Sequence, residues 1–208
     1  TRRFIRTQFA GDRKFIKQAE LKIAQYYAKL LAQKSGFKEW RGYDDLLLDR
    51  NNILSVAQWC YKSVQRKQNS SASLPKQTRN IAEILVQIGI QFGSVLWQRA
   101  FWYDRMTLAH AALSAAKLLA DWKSVSTFAR NISWIYFYQG DYLRALRWSE
   151  ESLLATTKTE DDLLIAAAKR SLGTVELRLG NFDRSETLLK DVLQTTEKYA
   201  NDDYGIYS

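Results

Sequence analysis

The chain has 208 residues, with 31 Lys and Arg against 22 Asp and Glu, one His, one Cys, one Pro and nine Gly. That length suits one large domain or two small ones, and a composition 46% hydrophobic and 13% aromatic excludes wholesale disorder. A lone cysteine excludes a disulfide framework, a lone histidine leaves few routes to acid–base or metal chemistry, and a single proline favours long helices over a turn-rich β fold. The composition therefore points to a binding protein rather than an enzyme, with no cofactor and no metal implied. No uninterrupted apolar run of about 18 residues occurs, so no membrane span or membrane partner is expected. With no apolar leader and no cysteine pair, the expected compartment is the cytoplasm. The chain starts at Thr1 and its one methionine is Met106, which reads as a segment of a longer protein.

Charge is distributed unevenly. Residues 1–80 carry 17 Lys or Arg and 6 Asp or Glu, a net of +11, whereas residues 81–208 carry 14 and 16. The basic third is either a solvated or docking face or a surface for an acidic partner or nucleic acid.

In chain order, Lys14 to Gln33 places Ile16, Ala19, Ile23, Tyr26, Tyr27, Leu30 and Leu31 at steps of three and four, which predicts an amphipathic helix. Lys14, Gln18, Lys22, Gln25 and Lys29 form a basic stripe on another side, and Gly36 is placed to cap the C-terminus. Asp45 to Gln65 predicts one or two further helices. The polar stretch Lys67 to Pro75 then breaks the chain, and Pro75 suits the opening of the next helix. The expected organisation is a basic helical linker region over 1–68, a repeat array over 76–200 and a tail over 201–208.

Beyond Pro75 the sequence repeats with a period of 40. Trp102, Tyr142 and Phe182 are aromatic in register; Gly93, Ser133 and Gly173 are small; Ala100, Gly140 and Gly180 precede each aromatic; Leu113, Leu153 and Leu193 follow it. Such a period marks a solenoid of helix pairs, expected over 76–119, 122–156 and 160–199. The helices are placed at approximately 76–99, 102–119, 122–139, 142–156, 160–179 and 182–199. Gly140-Asp141 and Gly180-Asn181 read as a helix stop followed by an N-cap, and Thr159 to Asp162 as another helix start. Small residues at 93, 133 and 173 imply close approach of a neighbouring helix, with the following aromatic filling the base of the second helix.

Ile132-Ser133, Tyr136, Gly140-Asp141-Tyr142 and Ala145 resemble the L-G…Y…G-D-Y…A pattern of tetratricopeptide repeats. Leu172-Gly173, Gly180-Asn181-Phe182 and Ser185 follow it in the third pair, whereas the first pair carries Arg105 where a small residue belongs. The resemblance implies an all-α fold of antiparallel helix pairs stacked as a right-handed superhelix. A period of 40 exceeds that family's usual ~34, with the extra residues placed in inter-repeat loops such as Thr157 to Glu160. A narrower resemblance is to the repeat sensor arrays of NB-ARC-type signal-transducing NTPases. Phe4 to Ala10 is similar to the end of their winged helix, Ala19 to Ala28 to the linking helix, and Asp49 to Leu54 with Gln58-Trp59 to the segment before the repeats. It implies a ligand-sensing segment of a larger signalling NTPase, although no phosphate-binding G-x-x-x-x-G-K-[ST] occurs in this chain.

Among chemistry-bearing residues, His110 and Cys60 read as structural, and the adjacent carboxylate pairs do not face one another on a helix. The tetratricopeptide resemblance implies a ligand groove lined by the first helix of each pair. Carried along the period, that groove takes Trp97 and Gln98, then Arg130, Asn131, Trp134, Phe137 and Tyr138, then Arg170, Thr174 and Arg178. Three arginines there suit a protein or peptide that is acidic or carboxylate-bearing. Inter-helix packing is the other reading of Trp134 and Phe137. A second function is nucleic-acid binding through Arg2, Arg3, Arg6, Arg13, Lys14, Lys17, Lys22 and Lys29, on electrostatic grounds alone.

Overall fold

A computed structural model describes residues 11–34, 43–65 and 74–200, and those residues are all-α, with no strand among them. The helices are α1 (Arg13–Lys34), α2 (Tyr43–Leu48), α3 (Arg50–Gln65), α4 (Lys76–Gln98), α5 (Trp102–Leu119), α6 (Trp122–Tyr138), α7 (Tyr142–Thr156), α8 (Asp162–Arg178) and α9 (Phe182–Ala200). The six repeat helices lie within two residues of their expected bounds, and residues 45–65 fall in two helices rather than one. Gly36, the segment Phe4 to Ala10 and the tail 201–208 lie outside the described residues. The chain divides into two compact units between Leu119 and Ala120, a position inside the repeat array.

In the first unit α4 pairs with α5, and α1 and α3 pack against that pair. By length and composition α4 is apolar enough to cross a membrane, although it contains no uninterrupted apolar run of about 18 residues, and it is mostly buried as a core helix of this unit. Its Ile81, Leu85, Ile88, Phe92 and Leu96 are buried, as are Ala24 and Leu31 of α1 and Ile53, Val56 and Cys60 of α3. Polar ties reinforce the packing: Gln87 Nε2 donates to the Ala28 carbonyl at 3.3 Å, Arg50 of α3 pairs with Asp104 of α5, and Arg99 pairs with Asp44. The Tyr27 hydroxyl donates to Asp49, and burial beside that carboxylate pushes its pKa up to about 12.

In the second unit α6 pairs with α7 and α8 with α9, while α7 packs on α8 and α6 on α8. Each pair crosses where its side chains are smallest. Ser133 Oγ of α6 donates to the Ala145 carbonyl of α7 at 2.8 Å. Forty residues on, the roles reverse, and Ser185 Oγ of α9 donates to the Gly173 carbonyl of α8 at 2.8 Å. A buried hydroxyl chain runs from Ser133 to Ser149 to Ser171, and Ser126 meets Ser152 at 3.0 Å, so these core hydroxyls are satisfied. Glu176, fully buried on α8, is held by Arg184 Nη1 and Asn181 Nδ2, each at 2.6 Å. Asn181, expected as an N-cap, spends its side chain on that carboxylate instead.

The close-approach reading holds at one glycine and fails at another. A Cβ on Gly173 would lie 3.1 Å from Leu189 Cγ and 3.3 Å from Leu188 Cβ, whereas one on Gly93 would meet nothing within 4 Å. The aromatic after each turn also varies: Trp102 stacks on Trp97 and Tyr142 on Phe137, but Phe182 is 65% exposed, because Leu177 replaces its aromatic partner and is itself exposed.

The backbone repeats every 20 residues rather than every 40. Asp121, Asp141 and Asp161 each cap a helix by accepting from the backbone N–H three residues on. Two residues before the starts of α5, α6, α7 and α9 the backbone is left-handed: Ala100 (φ 58°), Ala120 (φ 54°), Gly140 (φ 78°) and Gly180 (φ 83°). Position 160 departs from this series, its turn being closed by Thr157 and Thr159 hydroxyls donating to the Leu154 and Thr156 carbonyls.

An alanine at positive φ costs about 1 kcal/mol relative to glycine. Ala100→Gly is therefore expected to stabilise the protein by up to that amount in urea unfolding. Gly173→Ala should destabilise it by about 1 kcal/mol through overpacking against Leu188 and Leu189, whereas Gly93→Ala should stabilise it through helix propensity. Equal effects at the two glycines would contradict the packing described.

Candidate ligand-docking face

The buried side of α6 comprises Val125, Phe128, Ala129, Ile132, Ser133 and Ile135. Helical periodicity then turns Arg130, Asn131, Trp134, Phe137 and Tyr138 away from that core: the first four are half-buried and Tyr138 is 62% exposed. On α8, Ala166, Leu172 and Val175 face the core, which leaves Arg170 and Thr174 half-buried and Arg178 exposed. Because α6 packs on α8, the two outer faces adjoin within one unit.

Four aromatic rings form a connected cluster. Trp134 meets Phe137 edge-on at 5.3 Å between centroids and Tyr138 at 6.1 Å. Phe137 in turn meets Tyr138 at 5.7 Å and Tyr142, across the turn, at 5.5 Å. The Arg178 guanidinium lies 5.9 Å from the Phe137 ring centroid and so joins α8 to this cluster, within the range of a cation–π contact. Trp134 and Phe137 thus have a packing role, and the same cluster carries the exposed Tyr138. Tyr142, read from the sequence only as a filler of its own helix base, is a fourth member. Its place directly across the Gly140 turn from Phe137 is the signal that could have found it.

The electrostatics of the face are unusual for its surroundings. Arg130 is half-buried and forms no ion pair among the described residues. Burial lowers its pKa from the ordinary guanidinium range, and the positive charge of Arg170 beside it lowers it further. The unit as a whole is acidic, with eleven Lys and Arg against fourteen Asp and Glu over residues 120–208. A local cluster of arginines in an acidic unit is not explained by bulk composition. Thr174 contributes little beyond its own helix, since its hydroxyl donates to the Arg170 carbonyl at 2.8 Å.

The remaining expected groove residues, Trp97 and Gln98, lie on α4 in the first compact unit. There Trp97 stacks edge-on with Trp102 at 5.0 Å and carries the Arg105 guanidinium 4.0 Å above its ring, while Gln98 is exposed. Arg105, the residue that breaks the small-residue pattern, is buried on α5 in that stack. Of the basic surface, Arg2, Arg3 and Arg6 and the side chain of Arg13 lie outside the described residues. Lys14, Lys17, Lys22 and Lys29 are exposed along α1 and form no ion pairs among the described residues, and Tyr26 beside them is 59% exposed. His110 is half-buried on α5, and burial lowers its pKa; Cys60 is a buried core thiol.

Residues 124–198, from α6 into α9, match the tetratricopeptide repeat family. Among solved structures, the chain is similar to BtubC (BKLC) from P. vanneervenii, with 12% identity and a TM-score of 0.49 over 92% of this chain and 94% of that one. It is also similar to MamA protein, with 15% identity and a TM-score of 0.43 over 91% of this chain and 98% of that one. Both scores lie below 0.5, so the helix pairs themselves, rather than these neighbours, define the fold. No curated protein matches the sequence.

A half-buried guanidinium beside a like charge costs folding free energy that an apolar side chain of similar length would not. Arg130→Met is accordingly expected to raise the unfolding free energy by about 1 kcal/mol, measured by urea denaturation. A loss of stability would mean that Arg130 is held by structural contacts.

Proposed function

We propose that this chain is a non-catalytic helical-repeat scaffold that binds a protein or peptide over the outer face of α6 and α8. The observation that carries this reading is the meeting of an exposed tyrosine, an aromatic cluster and half-buried arginines on one face. Aromatic residues and arginine are enriched at interface hot spots because they join large buried area to directed polar contacts. Tetratricopeptide repeats as a class bind proteins or peptides, and the matched stretch contains this whole face. The finer proposal is that the chain is the ligand-sensing segment of a larger signalling NTPase of the NB-ARC type, working in the cytoplasm. Ligand on the face would favour one state of the parent by binding it more tightly than the other. Supporting this are the resemblance of Ala19 to Ala28 and Asp49 to Trp59 to the segments that precede such repeats, and the packing of α1 and α3 onto the first helix pair.

Crosslinking in source cells followed by affinity capture is expected to recover a partner with the wild-type chain. That partner should be lost with Tyr138→Ala, which truncates an exposed side chain and should leave the thermal midpoint close to wild type; equal recovery would remove the face from the proposal. The same cells should yield an immunoblot band several times larger than 24.1 kDa, and a band at that mass would remove the parent NTPase.

A second reading, nucleic-acid binding through α1, is favoured by the exposed lysine row at positions 14, 17, 22 and 29. On this reading affinity for a short duplex should fall by orders of magnitude between about 50 and 200 mM salt. Weak or salt-insensitive binding would dismiss it.

A further inference from the structure

Resting on the docking face proposed above, we infer that its ligand is a short acidic protein segment: one carboxylate lies against Arg130 and Arg170, and an adjacent apolar or aromatic side chain covers Tyr138. Charge complementarity commits the face to this occupant. Arg130 is half-buried without an ion-pair partner among the described residues, and the charge that acts on it is that of another arginine, Arg170. A guanidinium presents a planar fork of donors that fits a carboxylate, and an anion at Arg130 supplies the opposite charge it lacks among the described residues and offsets the like charge of Arg170. Burial first, and the like charge of Arg170 second, lower the pKa of Arg130, and a carboxylate beside it would offset both. Arg178, exposed beside Phe137, offers a second point for a carboxylate further along the segment.

The extent of the positive charge limits the length of the anion. Three arginines stand in a unit whose acids outnumber its bases by fourteen to eleven. A nucleic-acid backbone, with a phosphate every few ångströms, would carry most of its charge into that acidic surround. One or two carboxylates flanked by apolar side chains match both the arginines and the aromatic cluster.

The test is selection of random peptides displayed on phage against the full chain, followed by titration of synthetic copies labelled with fluorescein. Selected peptides should be enriched in Asp or Glu next to Leu or an aromatic residue. Their affinity should fall at least tenfold with Arg130→Gln or Arg170→Gln, and by a similar factor when the peptide acid is changed to its amide. Arg130→Lys, which keeps the charge and loses the fork, should fall between wild type and Arg130→Gln. Thermal midpoints confirm that each variant folds, and Arg170→Gln carries the test if Arg130→Gln does not. Neutral peptides that lose binding with Trp134→Ala but ignore Arg130→Gln would overturn the acidic ligand while leaving the docking face intact. Peptides indifferent to Trp134→Ala, Tyr138→Ala and both arginine variants would overturn the face itself. Displacement of a selected acidic peptide by a 12-nucleotide single-stranded RNA, or at least tenfold tighter binding of a phosphoserine copy than of the acidic one, would also overturn the inference.

Discussion

The second unit depends on how closely the two helices of a pair can cross. Ser133 with Ala145, and Gly173 with Ser185, bring backbone to backbone with only a hydroxyl or a hydrogen between. Whichever helix carries the serine, its hydroxyl finds the carbonyl opposite, so the close approach gains a satisfied hydrogen bond rather than a buried polar debt. That crossing fixes the rotation of each helix about its axis. With Ile132 and Ile135 or Leu172 and Val175 turned inward, Arg130, Trp134 and Tyr138, and with them Arg170 and Arg178, have only the outer face left.

Much of this was legible in the sequence. The helices follow from apolar spacing of three and four, their ends from Gly140, Gly180 and the acidic caps, and their pairing from the 40-residue register of aromatic and small residues. What escaped was the 20-residue backbone repeat, because Ala100 and Ala120 occupy turn positions that Gly140 and Gly180 make visible. Gly93 misled for the opposite reason: it shares the register of Gly173 but not its crowding, since no atom stands where Leu188 and Leu189 press on Gly173. Periodicity reports which positions are equivalent and says nothing of whether the neighbours at those positions are the same size.

The site was legible in part for a similar reason. Arg130 and Arg170 share a register, so their common face could be inferred, but the half-burial of one and its repulsion by the other depend on helix packing that no spacing rule contains. Nor could spacing divide the residues between units, and Trp97 proves to be committed to a stack with Trp102 and Arg105 within the first. The arginine face and the hydroxyl-lined core also divide labour. The core satisfies every hydroxyl of its serine chain internally, whereas the face leaves the Arg130 guanidinium without a carboxylate among the described residues, a local cost of the sort that natural proteins retain where binding repays it.

The two left-handed alanines have a consequence for where this fold breathes. They stand at either end of α5, and neither can relax while the helix termini and the flanking turns stay formed. Fraying of one turn at either end releases that backbone strain, so opening there is less costly than at the glycine-closed turns beyond α6 and α8. Amide protons at the ends of α5 should thus exchange with solvent through small local excursions, ahead of those at the ends of α6 and α8. The central amides, buried with Ala112 and Ala115, should wait for the unit to open as a whole.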